Sequence, residues 1–250
     1  MFSLFLRPPP ELEDYLIAEL WECGTTGIVE EPGGLRAFFP PNMDTAGLLT
    51  RLAPFAPELR EEQPIDWVQA THDAWPPITV GRRFFLAPPW CADATPPGRL
   101  RLPIHPGMAC GTGRHPATQL ALQAIEEHVR PGDWVVDVGT GSGILATAAA
   151  LLGAGRVIAC DIDPDAVEIA RTRLSAALFI GSAGAIRSGW ADAVIANIDA
   201  ATIEEIAGEL ARIRKPDSTL ILTGFPAWDA PEGFQAKETK EQEEWLCLIC

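Results

Sequence analysis

The chain has 250 residues, 47% hydrophobic and 21% charged, which is enough apolar matter for a full core and too little charge for disorder. Its 34 acidic and 19 basic residues give a net charge of −15, with no Lys/Arg cluster; this disfavours direct nucleic-acid binding and suits a basic protein partner. No apolar run reaches the roughly 18–20 residues of a membrane span, and "MFSLFLRPPPE" lacks the basic flank of a secretory signal, so the expectation is a cytoplasmic protein with no membrane partner.

Residues 1–58 read as a small α+β domain. "FSLFLR" is a short strand, and "PPELEDYLIAELWEC" is an amphipathic helix with proline and acids in its first turn, stopped by Gly24. "TGIVEE" and "LRAFFP" flank a Pro-Gly-Gly turn. "DTAGLLTRLAPF" is a second helix capped by Asp44, and "PELREEQP" supplies a last strand. The order βαββαβ is the ferredoxin-like, split-βαβ pattern. Residues 59–77 are rich in proline and tryptophan and are expected to form a linker.

The domain at 78–250 opens with short strands such as "RRFFLAP" and then alternates helix and strand. Helix "HPATQLALQAIEEHV" leads to strand "WVVDVG", helix "GILATAAALLGA" and strand "RVIACDID". Helix "PDAVEIARTRLSAA", a weak strand, strand "ADAVIANI", helix "TIEEIAGELARI" and strands "STLILTGF" and "EWLCLIC" complete it. Apolar strands alternating with helices imply an α/β fold with a mostly parallel sheet covered on both faces, Rossmann-like in plan. Six cysteines lack metal-ligand spacing, and neither His105 nor His115 is placed to complete a zinc set, so no metal is expected. Cys247 and Cys250 form a C-x-x-C on an alternating terminal strand rather than at a helix start, which favours a structural role.

"VVDVGTGSGIL" joins strand to helix and so lies at the carboxyl edge of the sheet, where such folds bind ligands. Gly139, Gly141 and Gly143 allow a tight turn and close approach to a ligand. Their spacing is G-x-G-x-G, with Ile144 at the position of the third Rossmann glycine, which leans away from a pyrophosphate cofactor. Asp161 ends the next strand, where a carboxylate can accept from both ribose hydroxyls; Asp163 reads as the cap of the following helix. Asp137, at the tip of the first strand, can face the amine of an amino-acid moiety or accept from the loop's own amides. Ribose, amine and no phosphate together describe S-adenosylmethionine.

Three segments, "VDVGTGSGIL", "CDIDPDAV" and "VIANI", resemble motifs of the ribosomal protein L11 methyltransferase family, and "HPGMACGTGRHPATQLAL" resembles that family's hallmark "PGxAFGTGxHxTT" segment. The "DW" at 66–67, Trp75 and "EEW" near the end match as well, so the resemblance runs along nearly the whole chain. It implies a class I S-adenosylmethionine-dependent enzyme that methylates lysine side chains and the N-terminal amine of the basic ribosomal protein L11, with residues 1–58 recognising the substrate. It further implies that Thr118, Gly139, Asp161 and Asn197 line the cofactor site, while the 111–118 loop covers the methionine end. Thr118 near a helix start has capping as its other reading. Cys110 and Ala117 depart from the family's Phe and Thr, and 175–190 lacks the asparagine that closes the preceding helix.

Methyl transfer from a sulfonium to an amine is an in-line displacement, so alignment is the enzyme's main task and is worth roughly 7–11 kcal/mol. Asn197, at the end of "AVIANI", can accept the amine's N–H on its side-chain carbonyl and aim the lone pair, which makes it the expected catalytic residue. The chain's single tyrosine, Tyr15, lies in the first domain. Two other readings stand beside this one: methylation of RNA or a small metabolite, and a nucleotide-binding module with a decayed site. The missing basic patch weighs against RNA, and the intact Gly139–Asp161–Asn197 set weighs against decay.

Overall fold

A computed structural model describes residues 1–61, 72–105, 113–174 and 176–250. The chain divides into two compact units, Met1–Thr71 and His72–Cys250.

In the first unit, strands β1 (Phe2–Leu6), β2 (Gly27–Glu31), β3 (Gly34–Phe39) and β4 (Glu58–Glu61) alternate with helices α1 (Glu13–Glu22) and α2 (Thr45–Arg51) in the order βαββαβ. The sheet runs β2-β3-β1-β4, each neighbouring pair antiparallel. Leu4, Leu6, Leu35, Ala37 and Phe39 project from one face of the sheet onto Leu16 and Leu20 of α1 and Leu48 of α2, forming one apolar core. Asp44 caps α2 by accepting from Gly47 N at 3.1 Å. Gly24, at φ +81°, turns the chain after α1. Because β4 pairs with β1, this unit continues past the boundary expected at 58. Of the expected linker, 59–61 form strand and 62–71 lie outside the described residues.

The second unit begins with a small sheet, β5 (Ile78–Val80), β6 (Phe84–Ala87) and β7 (Leu100–Pro103). Its main sheet contains β8 (Trp134–Val138), β9 (Arg156–Asp161), β10 (Ala177–Ile180), β11 (Ala191–Asn197), β12 (Arg214–Pro226), β13 (Glu238–Gln242) and β14 (Trp245–Ile249). The seven strands lie in the order β10-β9-β8-β11-β12-β14-β13. The first five are mutually parallel, and β14 is antiparallel to both of its neighbours.

Helices α3 (Pro116–His128), α4 (Ile144–Leu151), α5 (Pro164–Arg171), α6 (Ala200–Glu205) and α7 (Ala207–Ile213) follow the alternation. Val135, Ile195 and Ile221 face one cluster with Leu120, Ile125 and Leu145; Val136, Val194 and Leu222 face the other with Ile203, Leu210 and Ile213. Helices therefore cover both faces, as buried parallel strands require.

Three local expectations change. The helix after Asp163 stops at Arg171 instead of continuing through the following Ser-Ala-Ala. The single helix expected over 202–213 breaks at Ile206, whose φ of −98° and ψ of 11° leave the helical basin. "ETKEQ", which carries no apolar signal, forms edge strand β13; its backbone pairs with β14, and its polar side chains suit a sheet margin. Among the described residues, no helix is long and apolar enough to cross a membrane.

Candidate active site

The site forms where β8, β9 and β11 end together. Gly139, Gly141 and Gly143 hold φ values of +71°, +52° and +79°, a backbone that side chains rarely adopt. At Gly139 a Cβ would also run into Ile198 Cγ2, so the turn packs directly against the residue after Asn197.

Asp161 takes the position its place on β9 implies. Its Oδ2 accepts from Gly141 N at 2.9 Å, and its Oδ1 accepts from Asp163 N at 3.0 Å. These bonds lock the carboxylate beside the glycine turn and leave each oxygen a further lone pair for a ligand hydroxyl. Asp163 caps α5, accepting from Asp165 N at 2.9 Å.

Asp137 turns toward the loop and the helix that follows it. It is fully buried, and its Oδ2 accepts from Thr140 Oγ1 at 2.7 Å and from Ala146 N at 3.1 Å. Its Oδ1 is buried with no hydrogen-bond partner. Burial pushes the Asp137 carboxyl up to about 6 against the opposing pull of those two bonds, and neighbouring Asp161 adds to the rise. An orphaned acceptor this deep is costly unless a donor reaches it.

Thr118 and Asn197, 79 residues apart, meet: Asn197 Nδ2 donates to Thr118 Oγ1 at 3.3 Å. Thr118 is not the helix cap. His115 is, its Nδ1 accepting from Ala117 N at 3.3 Å, with Pro116 in the first turn. The Thr118 hydroxyl is thus free to face across to β11, and the bond leaves the Asn197 carbonyl oxygen as the open acceptor. His115 also packs edge-on against Trp245 at 4.3 Å between ring centroids, tying the start of α3 to β14. Sequence reasoning gave His115 no role; a polar residue directly before Pro116 was the available signal. It also missed Thr140 as the partner of Asp137, although the spacing of three residues was in view.

Residues 106–112, which hold Cys110 and the start of the 111–118 loop, lie outside the described residues, as do 66–67 and 175. Cys160 and Cys247 are buried thiols whose pKa values burial drives to about 12, so neither is a nucleophile. Glu127, His128 and Glu238 come together at one end of α3, where Lys240 Nζ already bonds Glu127 at 2.6 Å and Glu238 at 2.9 Å.

A parallel sheet with one reversed strand next to its far edge, carrying a glycine turn on one strand and an acid on the next, is the class I methyltransferase fold. Residues 34–250 match the ribosomal protein L11 methyltransferase (PrmA) family, and the chain belongs to that family. It is similar to the ribosomal protein L11 methyltransferases of Burkholderia mallei and Burkholderia ambifaria, 40% and 39% identical over 201 residues, which span 76% of this chain and 67% of each relative. Among solved structures it is similar to a ribosomal protein L11 methylase from Lactobacillus delbrueckii subsp. bulgaricus. That likeness has a TM-score of 0.63 and 29% identity, covering 69% of this chain and 96% of the other.

Proposed function

We propose that this chain methylates amines of ribosomal protein L11, on lysine side chains and the N-terminal amine, with S-adenosylmethionine as donor, and does so in the cytoplasm. The observation that carries the reading is the Thr118–Asn197 bond, which closes a site with Gly139 and Asp161 at the carboxyl edge of the sheet. The donor fits the residues present. Asp161 has lone pairs for ribose hydroxyls, the positive-φ turn at Gly139 and Gly141 admits a ligand to the backbone, and the orphaned Asp137 Oδ1 suits an ammonium donor. When bound, S-adenosylmethionine supplies an electrophilic methyl group on sulfur.

The protein's own contribution is alignment. Thr118 holds the Asn197 side chain by its Nδ2, so the Asn197 carbonyl oxygen accepts an N–H of the neutral substrate amine and directs its lone pair. A lysine arrives with a pKa of about 10.4 and must lose a proton; closing the pocket around it lowers that value by desolvation. Residues 1–58, with strand β4 added, serve as the substrate-recognition unit: their core is their own and their sheet is separate from the one that carries the site.

Labelled S-adenosylmethionine incubated with this protein and unmethylated ribosomal proteins tests the assignment. Label should appear on L11 and be released as methylated amines on hydrolysis. Label on RNA, or on no protein, would contradict it.

A further inference from the structure

The carboxyl edge holds more than the cofactor turn. Beyond Asn197 the neighbouring strand β12 continues: Asn197 lies opposite Thr223, and β12 ends three residues later at Pro226. The strand is irregular between Leu222 and Phe225, with Gly224 at φ +102°, so Pro226 lies at most roughly 10 Å further along the strand direction, and Trp228 follows in a 3₁₀ turn (Ala227–Asp229). Trp228 is 76% exposed, more than any other large apolar side chain among the described residues. The turn is fixed from two sides. Ala227 N donates to Glu244 O at 2.8 Å, and Glu232 N donates to Glu204 Oε1 at 2.7 Å.

An indole this exposed is held in place by backbone that is itself anchored. Exposed acids stand on this turn and on the segments bonded to its flanks, Glu244 through Ala227 N and Glu204 through Glu232 N. Asp199, Glu204, Asp229, Glu232, Glu243 and Glu244 are all exposed, and none has a basic partner among the described residues. Asp199 is two residues from Asn197 and caps α6, Asp229 follows Trp228, and Glu243 and Glu244 form the turn before Trp245.

We infer that Trp228 and the acids around it form a docking rim for a lysine-bearing segment of the protein substrate, beside the amine that reacts. The chemistry is complementary on both counts. An indole face attracts an alkylammonium group and packs its methylene stem, while the unneutralised carboxylates attract a basic segment and repel a polyanion such as RNA. The rim rests on the reading of L11 as substrate and adds a second contact to it. A lysine held on Trp228 would fix the register of the segment, so that a neighbouring amine meets Asn197.

The test is binding and turnover of L11 measured together. Calorimetry of L11 binding in the presence of S-adenosylhomocysteine, and steady-state methylation, are compared for the wild type, Trp228→Ala, Trp228→Phe and the double variant Asp229→Asn/Glu244→Gln. Trp228→Ala should weaken L11 binding and raise KM fivefold or more, leaving kcat and cofactor affinity unchanged. Trp228→Phe should recover most of the loss, and the double variant should flatten the salt dependence of KM. Unchanged binding and KM in Trp228→Ala would overturn the rim, as would a loss not recovered by Phe. A wild-type protein that binds L11 without methylating it would overturn the functional reading alone, because the binding comparison still reports on the rim.

Discussion

The two edges of the main sheet are built in opposite ways. At the amino edge Trp134, the first residue of β8, is flanked by Arg156 at 5.1 Å and Lys215 at 4.8 Å, each over its ring. Asp192 accepts from Trp134 N at 2.9 Å and from Lys215 Nζ at 2.7 Å. Burial raises the Asp192 pKa, but those two bonds more than offset it and leave the carboxyl below its ordinary value. At the carboxyl edge Asp137 is buried with an orphaned oxygen, three glycines hold positive φ, and six exposed acids lack bases among the described residues. At one edge the buried groups are bonded by neighbouring side chains, and at the other a buried acceptor is left without a partner. That asymmetry follows from the parallel sheet, whose strand ends converge with helix starts on one side only.

Substitutions at the two edges should therefore differ in kind. Gly139→Ala should have the largest effect, because its Cβ would meet Ile198 in a backbone of φ +71°; a thermal-unfolding loss of about 1–3 kcal/mol should accompany loss of cofactor binding. Asp161→Ala removes the acceptor beside Gly141 and should cost about 1.5–3 kcal/mol of cofactor affinity by calorimetry. An unchanged affinity would remove Asp161 from the site.

Asp137→Asn should alter the pH dependence of stability. The native carboxyl titrates near 6, above its ordinary value of 3.8, so between those values the native state holds the extra proton. Unfolding free energy then falls as pH rises through that window. The asparagine variant, with nothing to ionise, should lose that decline in denaturant titrations at pH 4 and 7, whereas an identical slope in both proteins would show that Asp137 does not cause it. Smallest of all, Lys215→Met at the amino edge should cost under about 1 kcal/mol and leave cofactor affinity untouched.

Much of this edge was legible in the sequence. "VVDVGTGSG" marked a strand, a turn and an acid at the strand's end because a run of valines and glycine spacing act locally. Asp161 and Asn197 were legible because each closes an apolar run. Less was legible where two distant segments share one bond. Thr118 could be read as a cap; the cap is the local bond of Ala117 N to His115, and only the approach of α3 to β11 gives the Thr118 hydroxyl to Asn197. Strand β13 was hidden for another reason: an edge strand paired on one side needs no apolar residues, so "ETKEQ" carries no pattern to read. The β4 boundary likewise depends on pairing with β1, a contact that composition cannot signal.

The most direct test of the reaction centre is Asn197→Ala, measured for both cofactor affinity and turnover on L11 at saturating cofactor. Turnover should fall by on the order of a hundredfold, with cofactor affinity changed little. Collapse of cofactor affinity with turnover preserved at saturation would contradict this, placing Asn197 at the cofactor rather than at the amine.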